Sequence, residues 1–516
     1  MKRRSFLSFF IPDNHSDKVE KPLNASINPY TKPLDTLTAT HLLRRLSFAP
    51  SPALVKQLIG KSASEAITLI LGNEEMQPSA PSWINSSTEN PRGADIYTRN
   101  SIEGGWKNLQ GQLQTWWLTA MHKETLPASE KLTLFWSSFF TTEFVSDDTY
   151  IPPQMLYRQN ALIRKNRLGN FKSFVKDITL DPSMLVYLGN VLNIKGRPNE
   201  NYARELMELY TCGIGYYTEG DVKEAARVLT GWKVGMFNDE PAKNGIYNTY
   251  FHPPDHDNGS KQFMGMPIPS RDDIANTEYL VKVEEVNDLI DILFDVRADA
   301  ISRFIARKVY LFFFYSNRAV VDEEFIQKAA KVFKDNKFEI RPLIEVMLGS
   351  EFFFSEYIKG AQIKSPAEYA LSISRPLNKY QADMANALKG MDQDLIDPPN
   401  VAGWEAHQKW ITTKTYPNRK VYIENIIKVL TDDECVNFVK SFDQYDDPLE
   451  LVKNIISILL PLGVTDGYRM YLTDAVLLKN QPAYEWTTML NSKATVALRI
   501  KDLLNDIVKA PDFHLC

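Results

Sequence analysis

At 516 residues, with 44% apolar and 24% charged side chains, the chain has the composition of a folded protein built from two or three packed units. A formal net charge of -5 leaves no basic surplus, so no nucleic acid partner is expected. The longest apolar runs, 309–315 and 455–460, fall far short of the roughly 18 residues a membrane span needs, and no transmembrane helix is expected.

Arg3-Arg4-Ser5-Phe6-Leu7 resembles a twin-arginine export motif, but the apolar run after it ends at Pro12 and no small-residue cleavage site follows. Two locations stay open: cytoplasmic, or exported if Arg3-Arg4 acts as that signal. Cys212, Cys435 and Cys516 are too few and too scattered for a disulfide framework or a zinc knuckle. They fit a reducing compartment, and Cys516 reads as exposed.

Residues 1–35 read as a disordered lead-in or degenerate export signal, 36–420 as a helical body with sub-units near 36–190 and 191–420, and 421–516 as a helical extension. Leu42, Leu43 and Leu46 form the apolar side of a first helix at 38–48. On its other side His41, Arg44 and Arg45 read as a solvated edge. Ser62-Ala63-Ser64-Glu65 is a capping box before another helix. The proline-rich stretch 76–95 lacks periodicity and is a long loop. Helical stripes then follow, among them Leu109, Leu113, Trp116, Trp117 and Met121, and Leu132, Phe135, Trp136, Phe139 and Phe140. Aromatic stripes at this spacing are core. Strand signals concentrate at 232–237 and 247–251, as in a small hairpin with a wide loop. The expected fold is mainly α: a multi-helix, bundle-like body with a small β-hairpin insertion near 232–265.

The residues with recognisable chemistry lie between 198 and 261. Pro198-Asn199-Glu200-Asn201 opens a helix expected to run to Thr211 and to stop at Gly213. Glu205 and Glu208 share its polar face, and Arg204 stands four residues before Glu208, at pairing distance. Thr218-Glu219-Gly220-Asp221 caps a second helix with Val222, Ala225, Ala226 and Leu229 on its apolar side. The short turn between them predicts an antiparallel pair in which Glu205 and Glu208 face Glu224 and Arg227. Beyond the hairpin, His256 and Asp257 sit in a proline-stiffened loop that ends at Lys261.

These residues carry a family resemblance. Asn199-Glu200-Asn201-Tyr202-Ala203-Arg204-Glu205-Leu206-Met207-Glu208-Leu209, the following Glu224-Ala225-Ala226-Arg227 and Leu229-Thr230-Gly231-Trp232, and then His256-Asp257 with Gly259 and Lys261, resemble the long central motifs of the bacterial "domain of unknown function 1800" family. His41-Leu42-Leu43-Arg44-Arg45 is similar to its opening helix. Lys364-Ser365-Pro366 and Asp397-Pro398-Pro399-Asn400-Val401-Ala402-Gly403-Trp404, with Trp410 after them, are similar to its C-terminal signature. The resemblance implies no reaction. It does imply a genomic neighbour, a second family resembling sulfatases, as a partner.

Two readings of function stand side by side. In the first, the chain is a helical binding or assembly protein for a partner protein or glycan, in which Arg204, Arg227, Lys261, Asn400 and Trp404 are the candidate binding residues. In the second it is a hydrolase whose candidate catalytic residues are Glu205, Glu208, His256 and Asp257, with a divalent metal ion as the cofactor such a set would take. The same charges are also able to neutralise one another in a closed ionic network. No G-x-S-x-G serine, phosphate loop or dinucleotide fingerprint supplies a further alternative. The residues leave the oligomeric state open.

Overall fold

Short-range capping signals set many of the helix starts. The computed structural model describes residues 26–72, 77–85, 102–123, 127–146, 149–235, 247–270, 278–317 and 321–516. The Arg3-Arg4 motif, the hairpin's wide loop and much of the 76–95 loop lie outside the described residues. Among the described residues the fold is mainly α, with three two-stranded antiparallel sheets. No helix among them is long and apolar enough to cross a membrane.

Helix α1 (Thr36–Leu46) begins at a capping box formed by Asp35 and Thr38. The expected box at Ser62 and Glu65 forms as well, and satisfies backbone donors that the helix leaves unpaired. Helix α2 (Asn201–Glu208) ends earlier than Thr211. The Thr211 hydroxyl donates to the Leu206 carbonyl at 2.5 Å, and the Gly213 N–H reaches the Met207 carbonyl at 2.8 Å. These bonds use up the carbonyls that a further helical turn needs. Helix α3 (Glu219–Val228) starts from the expected box of Thr218 and Asp221, and packs on α2.

Strands β1 (Val145–Ser146) and β2 (Thr149–Tyr150) form a pair not expected from the sequence. The expected hairpin is β3 (Trp232–Val234) against β4 (Thr249–Phe251), in the register Trp232 to Phe251. Beside it, β5 (Lys261–Phe263) pairs with β6 (Met266–Ile268). Helix α4 (Glu278–Val296) packs against α3, β4 and β6, closing the far side of this β-containing insertion. Helix α5 (Pro366–Ser374) has a capping box of Ser365 and Glu368.

One buried apolar cluster runs from Leu34 to Phe513, and the aromatic stripes lie in it. Two expectations about charge and exposure are corrected here. His41, Arg44 and Arg45 are buried, not a solvated edge. His41 Nε2 meets the Phe353 carbonyl at 3.0 Å, Arg44 donates to the carbonyl of Leu460 at 2.9 Å, and Arg45 to that of Ile358 at 2.7 Å. Cys516 is 3% exposed, because residues 515–516 pair with 362–363. Residues 26–30, expected in the lead-in, run along 349–352 through backbone hydrogen bonds.

Candidate functional site

The short α2 leaves Glu205 and Glu208 half-buried on its polar side. Burial raises the Glu205 carboxyl and the charge of Glu208 raises it further, while Arg204 works in the opposite direction. Glu208 accepts a 2.5 Å hydrogen bond from the Tyr217 hydroxyl. Arg204 does not pair with Glu208. Its guanidinium forks onto Glu219 at 2.7 and 2.8 Å and touches Glu200 at 3.3 Å. Glu219 opens the next helix, and a fork matched to both carboxylate oxygens wins over a partner on the same helix.

Arg227 likewise turns away from Glu205 and Glu208. Its Nη1 meets both oxygens of Glu224 at 2.9 Å, and its Nε reaches Asp257 Oδ2 at 2.8 Å. The Arg227 hydrogen bond holds the Asp257 carboxyl below its ordinary range. The β insertion is tied to α3 by backbone donors as well. The Gln262 N–H points to Glu224 and the Met264 N–H to Asp221, each at 2.9 Å.

His256 is 1% exposed and faces inward. Its Nδ1 lies 2.8 Å from the Thr230 carbonyl, so it carries a proton, and the Thr230 hydroxyl in turn accepts the Asp257 N–H at 2.9 Å. Gly231 makes this closure sterically feasible. At φ +87°, a Cβ there would sit 3.1 Å from both the His252 carbonyl oxygen and the His256 Cβ. On the other side of the ring, Nε2 lies 3.2 Å from Glu285 Oε2, close but outside aligned hydrogen-bond geometry. Lys261 Nζ meets the same oxygen at 3.0 Å. Burial by itself would raise the Glu285 carboxyl, yet the His256 contact and the Lys261 charge outweigh it and bring it down to about 2.

The four candidate catalytic residues therefore divide among separate partner sets. Glu205 and Glu208 stay together. Asp257 belongs to Arg227, and His256 belongs to Thr230, Glu285 and Lys261. Among the described residues no three His, Cys, Asp or Glu side chains gather into a set that could hold a metal ion. Glu285 is the residue that sequence reasoning missed. It lies on α4 outside every motif quoted above, and nothing in its local pattern marks it off from its exposed neighbour Glu284.

A second grouping also escaped notice. Tyr187 donates a 2.6 Å hydrogen bond to Glu143, and its hydroxyl is raised by burial, by that bond and by the nearby charges of Glu143, Glu205 and Asp397. Asp397 accepts the Phe144 N–H at 2.9 Å, and burial pushes its carboxyl up to about 6. The only local signal was the Asp-Pro-Pro turn.

That turn presents Asn400 at the surface, where its side chain accepts the Ala402 N–H at 2.9 Å. Gly403, at φ +84°, passes so close to Ser138 that a Cβ would lie 2.6 Å from its carbonyl oxygen. Trp404 consequently settles half-buried between two clefts, with Trp410 nearby at 7% exposure.

The family model described as "Protein of unknown function (DUF1800)" matches residues 41–515. No curated protein and no solved structure matches the chain.

Proposed function

We propose that this chain, which belongs to the DUF1800 family of proteins of unknown function, is a binding or assembly protein that docks a partner protein on the corner between α2 and α3. One observation carries the reading. Ile214 is 77% exposed, and Tyr216 at 43% and Val296 at 38% are apolar and open as well. Arg297 Nε donates to the Tyr216 carbonyl at 2.6 Å, which ties the corner to the end of α4. A large aliphatic side chain held on a braced turn is an anchor for a pocket on another protein. The charged residues around it are already engaged internally, which favours docking over chemistry. The sulfatase-like protein implied by family context is the first partner to try. Co-purification of the two should be lost in Ile214→Asp with the melting temperature unchanged. A variant that co-purifies as well as the parent would sink this reading.

A hydrolase is the second reading, favoured by the raised carboxyls of Asp397 and Glu205 near Tyr187. A carboxyl titrating near neutrality is suited to general acid work. Of the four residues expected for that role, only Glu205 and Glu208 keep to this side of the molecule's ionic networks. Turnover of chromogenic esters and glycosides that vanishes in both Asp397→Asn and Glu205→Gln would support it. Turnover unchanged in both variants, or none in the parent, would count against it.

A further inference from the structure

Two segments distant in the chain meet along an open groove. The helix Pro52–Leu58 forms one wall, and the turn at 441–443 with the helix Pro448–Leu459 forms the other. The groove has a volume of about 310 Å³. A cavity of about 150 Å³ already holds a benzene ring, so this one has room for an aliphatic side chain with an aromatic ring beside it. Its floor is apolar: Val55, Phe442 and Ile458 line it and are 5%, 5% and 4% exposed. The hydroxyls of Ser441 and Ser457 donate to the carbonyls of Phe438 and Asn454 at 2.6 and 2.8 Å. Neither has a donor left over for an apolar occupant to strand.

The Ile214 corner supplies such an occupant. Ile214 is 77% exposed, with Tyr216 two residues on. Corner and groove are both open in the same fold, so one fills the other only between two copies of the chain. Charge favours the match. From 440 to 453, beside the groove, four carboxylates stand against two lysines, and Lys56 on the facing wall engages Asp443 alone. Asp446 and Asp447 stay exposed. At the corner the sign is reversed. Gly213 lies against Phe304, where a Cβ would come within 3.2 Å of the ring, and residues 297–308 carry four cations against one aspartate. Arg297 holds the Tyr216 carbonyl and has no carboxylate partner among the described residues, while Arg303 and Arg307 share Glu323. Glu219, at the other edge, is taken by the Arg204 fork.

We propose that this chain associates with itself head to tail: Ile214 of one copy enters the groove between Val55 and Ile458 of the next, and the basic side of the corner lies against the acidic turn. The proposal rests on the docking reading and names its partner. Because anchor and groove are different surfaces, each copy in a pair keeps one of them unused. Assembly then continues into a ring or an open chain.

The test is sedimentation velocity on the full chain at rising micromolar concentration, in low and in high salt. The average mass should exceed that of one chain, rise with concentration and fall with added salt. Ile214→Asp removes the anchor, and Ala53→Trp fills the groove from an exposed lining position. Each should weaken association about tenfold or more, the loss expected for a central anchor. Ala53→Glu, which puts a charge in the groove, replaces the tryptophan variant if that one misfolds. A mixture decides the geometry. Ile214→Asp keeps its groove and Ala53→Trp keeps its anchor, so together they should form a one-to-one pair and stop there. A parent that stays monomeric, association unchanged in the Ala53 variants, or no pairing in the mixture would each overturn the proposal. The docking reading fails separately: it survives a monomeric parent whose co-purification with the sulfatase-like protein still depends on Ile214.

Discussion

Lys261 Nζ stands 3.0 Å from Glu285 Oε2, and solvent reaches neither side chain. The pair joins the β insertion to α4, with His256 at 3.2 Å from the same oxygen as a third member. Buried charges of this kind are costly to unpair, because the partner left behind has lost its water as well.

Glu285→Ala should therefore destabilise the fold by about 3–5 kcal/mol, as removal of one partner of a buried ion pair does. Glu285→Gln, which keeps the shape and one acceptor oxygen, should cost less. Denaturant unfolding read by tryptophan fluorescence distinguishes them. Equal stability of Glu285→Ala and the parent would show that the pair is open to water in solution.

The same carboxyl sets an acid limit. Glu285 titrates at about 2 in the fold against an ordinary 4.5, so its stabilising contribution is complete above 4.5 and is lost as pH falls toward 2. The stake is on the order of 3 kcal/mol. Melting temperatures taken between pH 6 and pH 2.5 should fall more steeply for the parent than for Glu285→Gln. Parallel curves would contradict this.

Asp397 carries the opposite sign. Its carboxyl is raised to about 6 from an ordinary 3.8, so its contribution is favourable below 3.8 and is lost as pH rises through 6. Asp397→Asn keeps an oxygen for the Phe144 N–H and removes the charge. At pH 8 it should be more stable than the parent by about 2 kcal/mol, with the gain gone at pH 3.5. A variant less stable at both pH values would refute the burial argument.

Gly403→Ala should cost about 3 kcal/mol, since a side chain at positive φ adds its own strain to the clash with the Ser138 carbonyl. The displaced turn should also shift the emission of Trp404. A variant with parental stability and spectrum would mean that the turn yields without carrying the tryptophan.

Much of the fold was legible because its causes are local. The capping boxes at Ser62 and Thr218 are hydrogen bonds spanning three residues, and the stripe Val222, Ala225, Ala226 and Leu229 needs only helical spacing to be recognised. The early stop of α2 was harder to see. Thr211 and Gly213 compete with the next helical turn for the same carbonyls, and spacing does not say which wins. Within the candidate site, Arg227 and Asp257 were both singled out, but their pairing with each other, in place of Arg227 with Glu205 and Glu208, was not expected.

What the tertiary structure alone decided is which charge meets which. Arg204 had Glu208 within reach on its own helix and took Glu219. His256 looked like a loop histidine free for chemistry, and Glu285, distant in the chain and unmarked by any motif, claims its outer face. His41, Arg44 and Arg45 carry the pattern of a wet helix edge, yet segments more than 300 residues away supply the carbonyls that bury them. Local pattern determines which backbone bonds and apolar faces a segment offers. The fate of a charged side chain depends on the nearest opposite charge or carbonyl in space, a quantity that exists only once the chain is folded.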